Sequence, residues 1–253
     1  MSKYNLGAAS DIGYERESQE DFVQFKELDE NNMLAVIADG TGSIKNYLQP
    51  GVMVGMSIIN DISDIYKENK DLFISNPLFF VKRAVINANN FLGAFKLGNE
   101  ELLSGYASSI TVALFTEDNR IHLAHSGNTR LYILRNSRII PMTKDHTEAQ
   151  VKFDEGEIDE ETYYVHPGRL KLTSGIGLMT NPEIDCMSGK LKEDDIIIMT
   201  TDGIHYAIRP EHIMNIVFES QDVVPACNNL INAAKNIIKY PDNMSAIVVG
   251  FNK

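Results

Sequence analysis

Apolar residues along this chain recur in two rhythms, and the rhythm changes several times. Residues 33–38, "MLAVIA", are apolar at every position, which predicts a central strand buried on both faces. Residues 4–9 and 21–28 read as further strands. The period then lengthens. Val52, Met56, Ile59, Ile62 and Tyr66 fall at three- and four-residue steps and predict an amphipathic helix. Leu78, Val81, Val85, Leu92 and Phe95 predict a second helix, opened by Pro77 in its first turn. From 107 to 143 the pattern returns to short extended runs. "SSITVALF" reaches Asp118-Asn119, "RIHLAH" reaches Gly127-Asn128, "RLYIL" reaches Asn136-Ser137, and "RIIPM" follows, a spacing that reads as a β-meander. "DDIIIMTTDG" (194–203) predicts another buried strand, Val223 to Ile237 a late helix, and "MSAIVVGF" (244–251) a last strand.

Strands, two helices, strands, then a helix and a strand is an α+β order. The expected architecture is a β-sandwich of two antiparallel sheets flanked by helices on both faces, four layers in the order α-β-β-α. No internal repeat or linker interrupts the chain, so residues 1–253 are read as a single domain.

Charge narrows the function. A formal net charge of −12 argues against nucleic acid as a partner, because phosphate backbones need clustered Lys and Arg. No run approaches the roughly 18 apolar residues of a membrane span, so no membrane association is expected. The opening "MSKYNLGAAS" is not a signal peptide, and the expected location is cytoplasmic. Cys186 and Cys227 stand far apart, with no zinc-ligand spacing, and read as reduced thiols.

The candidate chemistry is carboxylate chemistry. Asp39 follows "AVIA", Asp202 follows "IIIMTT", and Asp242 precedes "MSAIVV", so each stands at the mouth of a buried strand. Two lie at C-terminal ends and one at an N-terminal end, and antiparallel neighbours bring such ends to one edge. Asp21, with Glu20 beside it, opens another strand and is placed to join them. Each pair, Asp-Gly or Asp-Asn, is by itself ordinary turn chemistry. Together they form a cluster of like charges that needs cations among them, and oxygen-only ligands select hard ions such as Mg²⁺ or Mn²⁺.

These residues also carry a family resemblance. "SDIGYERESQEDFV" (10–23), "VIADGTGS" (36–43), "SSITVAL" (108–114), "AHSGNTRLYILRNSRIIPMTKDHT" (124–147), "HPGRLKLTSGIG" (166–177), "IIMTTDGI" (197–204) and "PDNMSAIVV" (241–249) follow in an order that resembles the bacterial metal-dependent phosphatases of the protein phosphatase 2C family. The resemblance runs from about residue 7 to residue 250. It implies removal of phosphate from phosphoserine or phosphothreonine by a hydroxide held at a binuclear Mn²⁺ or Mg²⁺ centre. It implies phosphoprotein substrates and a cognate serine/threonine kinase that makes them. By position, Asp39 would bridge the two metals and the Gly40 carbonyl would bind one. Asp202 and Asp242 would serve the other, Asp21 would contribute directly or through water, and Arg16 would clamp the substrate phosphate.

Three departures qualify the match. Asn128 stands in "HSGNTR" where the family has Asp, so affinity for a third metal is expected to fall. The loop after Asp39 is "GTGSIK", with Thr41 where some members place a histidine that protonates the leaving alkoxide. Between His146 and His166 lies an acidic segment, a flap in the bacterial relatives, whose charge suits basic phosphopeptides or else forms a solvated helix and loop. The departures leave a rival reading: a weak or inactive phosphatase-like module that binds a protein partner or phosphopeptide. Against it, a chain freed from metal chemistry gains nothing by keeping its carboxylates clustered.

Overall fold

Strands β1 (Tyr4–Asp11), β2 (Asp21–Glu27) and β3 (Met33–Thr41) lead into helices α1 (Pro50–Glu68), α2 (Lys70–Ser75) and α3 (Pro77–Lys96). Strands β4 (Ala107–Thr116), β5 (Arg120–Ser126), β6 (Arg130–Arg135) and β7 (Arg138–Pro141) follow. Helices α4 (Glu148–Asp154) and α5 (Glu160–Val165) and a single 3-10 turn (Pro167–Leu170) come next. The chain continues with β8 (Asp185–Lys190), β9 (Ile196–Thr200), α6 (Asp202–His205), α7 (Pro210–Glu219), α8 (Val223–Ile237) and β10 (Met244–Phe251). This computed structural model describes residues 3–14, 16–44, 47–237 and 242–252.

The strands form two antiparallel sheets, one in the order β2-β3-β4-β5-β8 and the other β1-β10-β9-β6-β7. Strand β3 explains why they stack. Its even residues Leu34, Val36 and Ala38 pack under α1 and α3, while its odd residues Met33, Ala35 and Ile37 face the second sheet. On the far side, Ile198, Ala246 and Val248 of β9 and β10 pack against α7 and α8 through Ile213, Cys227 and Leu230. Three apolar layers therefore separate four layers of backbone, the expected α-β-β-α sandwich, and the all-apolar run is the signature of a strand covered twice.

Three details depart from the sequence reading. Residues 107–143 are not one meander: β4 and β5 pair in the first sheet, and β6 and β7 in the second. Gly127, at φ 108°, makes the crossing between sheets, because a Cβ there would collide with Ser109. Strand β3 also runs past its apolar residues, so Asp39 and Gly40 remain in the ladder, paired with Ser109 and Ser108. Strand β8 went unread because it is an edge strand with exposed residues along most of its length.

The β6–β7 hairpin turns on Asn136 and Ser137, both left-handed at φ 52° and 55°. A two-residue turn of this kind favours Asn-Gly, and a left-handed non-glycine residue costs about 1–2 kcal/mol. Ser137→Gly is expected to stabilise the protein by about 1 kcal/mol, a melting rise of roughly 2–4 °C. An unchanged or lower melting temperature would show that the turn carries no such strain.

Candidate metal centre

The site begins with register. Strands β2 and β3 pair so that Asp21 lies opposite Asp39, and opposed residues project from the same face. One carboxylate therefore brings the other. In the second sheet β9 stops at Thr200 and β10 starts at Met244, running the other way. Asp202 and Asp242 thus reach the same end of the sandwich. Thr201 and Ser245 lock this end: Thr201 N–H donates to the Ser245 carbonyl at 3.1 Å, and Ser245 N–H donates to Thr201 Oγ1 at 2.9 Å.

Here a cleft of about 650 Å³ is lined by Arg16, Glu20, Asp39, Gly40, Asn128, Asp202 and Asp242. A larger cavity of about 770 Å³ lies under α4 and α5. Its most buried charges, Arg130 and Asp145, already satisfy each other through two hydrogen bonds of 2.8 Å. Uncompensated charge is in the smaller cleft. The glycine after each strand-end aspartate has a packing reason. A Cβ on Gly40 would lie 2.8 Å from both the Glu20 carbonyl oxygen and the Gly51 nitrogen, and one on Gly203 would overlap the Asn243 carbonyl. These Asp-Gly pairs mark close backbone approach rather than a reversal of the chain.

Asp21 is 6% exposed. Its Oδ2 accepts from Thr201 Oγ1 at 2.8 Å, and its Oδ1 is buried with no partner. Burial, reinforced by the charges of Asp202 and Asp242, pushes its carboxyl up to about 7. Burial raises Asp39 well above the carboxylate range, with Asp202, Asp21 and Asp242 adding repulsion. Burial and Asp242 raise Asp202 as well. Each of these buried carboxyls holds its proton more tightly than a free carboxylate does. Protons here do what a cation does: they dilute repulsion. An orphaned buried oxygen, an all-oxygen donor set and acids unwilling to ionise all fit hard divalent ions.

Arg16 meets Asp242 at the rim, Nη2 to Oδ2 at 2.5 Å, with both side chains substantially exposed at 51% and 40%. The pairing raises the guanidinium pKa and leaves it exchangeable with another anion. Glu20 takes a hydrogen bond from Ser18 Oγ and lines the cleft wall.

Three supporting residues were not legible in the sequence. Asn243 read as turn chemistry. Yet its Oδ1 accepts from Glu20 N–H at 2.7 Å and its Nδ2 donates to the carbonyls of Ile12 and Ser18, pinning the loop that carries Arg16. Thr201 and Tyr206 gave no signal, since a hydroxyl after a strand is common. Asn128 Nδ2 donates to Asp202 Oδ2 at 3.0 Å and to Tyr206 Oη at 3.2 Å. A separate group, His146 with Glu183 and Asp185, places one ligand-type atom of each residue within 4.8 Å of the others. Its histidine is committed: Nδ1 accepts from Gly127 N–H, so Nε2 keeps the proton and donates to Asp185 at 3.3 Å.

No family model matches the chain. The serine/threonine phosphatase stp of Listeria welshimeri is 23% identical over 243 residues, 96% of this chain and 94% of that one. The Mycobacterium tuberculosis serine/threonine phosphatase PstP/Ppp superposes with a TM-score of 0.84 at 25% identity, covering 99% of both chains. The PstP catalytic domain in complex with two manganese ions gives 0.81 at 24% identity, again over 99% of both. The resemblance read from the ordered motifs thus holds from end to end, with bacterial protein phosphatase 2C-type enzymes as relatives. The fold is theirs.

The raised carboxyl groups set a sign. Folded protein holds protons that the unfolded chain releases near pH 4, so metal-free stability is lost as pH rises towards about 7. In EDTA the melting temperature is expected to fall between pH 5 and pH 7.5. Mn²⁺ should raise it, and more at pH 7.5 than at pH 5, because ions and protons compete for the same oxygens. A metal-free melting temperature that climbs over this range would remove the electrostatic case for the site.

Proposed function

We propose that this chain is a metal-dependent serine/threonine protein phosphatase whose two sheets and flanking helices act as one catalytic unit. Among the described residues no helix is long and apolar enough to cross a membrane, and the proposed location is the cytoplasm. A serine/threonine kinase in the same compartment would supply the substrates. One observation carries the reading: Asp39, Asp202 and Asp242, from distant segments, line one cleft, with Asp21 buried opposite Asp39, and among the described residues Arg16 at the rim is the one cation lining it.

Asp39, Asp202, Asp242 and Asp21, with the Gly40 carbonyl, are the residues that would hold two Mn²⁺ or Mg²⁺ ions. Such ions supply Lewis acidity, activating water and neutralising charge on the phosphoryl oxygens. The chain supplies the rest. Asp21 and Asp39 sit on paired strands, so their oxygens are held by the ladder rather than by loop conformation. Arg16 offers its planar guanidinium to the phosphate by exchanging Asp242 for it. Leu170, Leu172 and Leu178 form an apolar wall that limits water around the phosphoester. Among the described residues no cysteine or histidine lines the cleft, and the proposed nucleophile is water rather than a side chain. The phosphorus–oxygen bond to the seryl or threonyl oxygen breaks, water supplies the new oxygen, and the alcohol and inorganic phosphate leave. The rival reading of an inactive binding module has no counterpart in the site, because none of the five charged residues is missing.

Phosphate release from a phosphothreonine peptide is the direct test. Release is expected with Mn²⁺, abolished by EDTA, and reduced at least about a hundredfold by Asp39→Asn. Arg16→Ala is expected to raise KM about tenfold. Folded protein that binds Mn²⁺ but releases no phosphate would overturn the enzyme reading.

The acidic flap is helical, and several of its acids are already paired: Asp154 with Lys144 at 2.5 Å and Glu161 with Arg209 at 2.6 Å. Glu155, Glu157 and Glu160 form no ion pair among the described residues. Their replacement by Gln is expected to raise KM for basic phosphopeptides about threefold and to leave acidic ones unchanged. Equal effects on both would assign the flap charges to solvation alone.

A further inference from the structure

Residue 128 is an amide where the resemblance expects a carboxylate, and its surroundings distinguish the two. Asn128 is 4% exposed. Its Nδ2 faces two acceptors, Asp202 Oδ2 at 3.0 Å and Tyr206 Oη at 3.2 Å. Tyr206 cannot donate back, because its proton is spent on the Arg169 carbonyl at 2.6 Å. The partners therefore fix the amide's orientation: both N–H bonds point at oxygens that have only lone pairs to offer. A near-isosteric aspartate would turn an oxygen towards each of them. That arrangement repels at both contacts unless a cation enters.

We propose that Asn128 is a positioning residue that does with two N–H bonds what a third metal ion would otherwise do, and that through Tyr206 it ties the metal ligand Asp202 to the end of the flap. The inference rests on the metal-centre reading above. The tie is continuous. Asp202 accepts from Asn128, Asn128 donates to Tyr206, and Tyr206 donates to Arg169. The Arg169 guanidinium stacks over the Tyr206 ring at 4.4 Å. The next residue, Leu170, is part of the cleft wall. Asp202 thus keeps one oxygen oriented from the protein side and leaves the other for a metal. The wall that would meet substrate is anchored to the same amide. The protein takes up two divalent ions, and a third does not bind between residue 128 and Asp202, where donor hydrogens already stand.

Calorimetric Mn²⁺ titration with bound metal counted by elemental analysis reads this without any activity. Wild type is expected to bind two ions. Asn128→Asp is expected to bind an additional, weaker ion and to melt lower than wild type in EDTA, recovering with Mn²⁺. Asn128→Ala is expected to lose about tenfold in Mn²⁺ affinity, as removal of a hydrogen-bond partner of a metal ligand does. Tyr206→Phe keeps the ring and removes the tie, so KM for a phosphopeptide is expected to rise by a larger factor than kcat falls. Three bound ions in wild type, or unchanged affinity in Asn128→Ala, would overturn the inference and leave the phosphatase reading standing. No Mn²⁺ uptake by wild type would overturn both.

Discussion

Everything at the working end of this molecule follows from four carboxylates held closer together than their charges favour. Burial raises the cost of ionising Asp21, Asp39 and Asp202, and the charge of Asp242 adds to that cost at all three. A fold accumulates such repulsion only where its backbone leaves little choice. Here the choice is removed by strand register, which opposes Asp21 to Asp39, and by the antiparallel reversal of β9 and β10. The apolar layers above and below the sheets supply the cohesion that tolerates the cluster, since Leu34, Val36 and Ile37 are fully buried within residues of Asp39.

Two arginine–aspartate pairs show how exposure divides structural from functional charge. Arg130 and Asp145 are nearly sealed from solvent, joined by two hydrogen bonds, with Tyr132 and Tyr163 each accepting one more from the guanidinium. Breaking such a pair leaves an uncompensated buried charge, so it is fixed. Arg16 and Asp242 are joined by a single hydrogen bond at an open rim, where water screens the interaction and exchange is inexpensive. The first pair belongs to the scaffold beneath the flap. The second has the lability that a phosphate-binding arginine requires.

The fold was legible where burial leaves a pattern. "MLAVIA" announced a strand covered on both faces, the 3.6-residue period announced α1 and α3, and "MSAIVVGF" matched β10 end to end. Legibility failed where packing, not pattern, decides. Gly127-Asn128 looks like the other turn dipeptides, but it passes the chain between sheets because only glycine fits against Ser109. Edge strand β8 has too little burial to alternate. At the site, the aspartates were legible because strand ends advertise them. Asn243, Thr201 and Tyr206 were not, because a hydrogen bond made across more than 200 residues, such as Asn243 to Glu20, leaves no local trace in composition or period.

Asn243 also bears on how Arg16 works. Arg16 stands in a loop, which by itself would be a poor platform for gripping phosphate. That loop is held at three points by one side chain, through the carbonyls of Ile12 and Ser18 and the N–H of Glu20, and the asparagine begins from the foot of β10 beside Asp242. These bonds tie described residues on both sides of Arg16 to the foot of β10. In the proposed function, exchange of Asp242 for a phosphate would need only rotation of the arginine side chain, not rearrangement of the backbone. A clamp that turns on side-chain torsions adds little ordering cost to binding, because the backbone entropy is already spent in the fold. The same asparagine that shapes the metal end of β10 thus preorganises the residue that would meet the substrate.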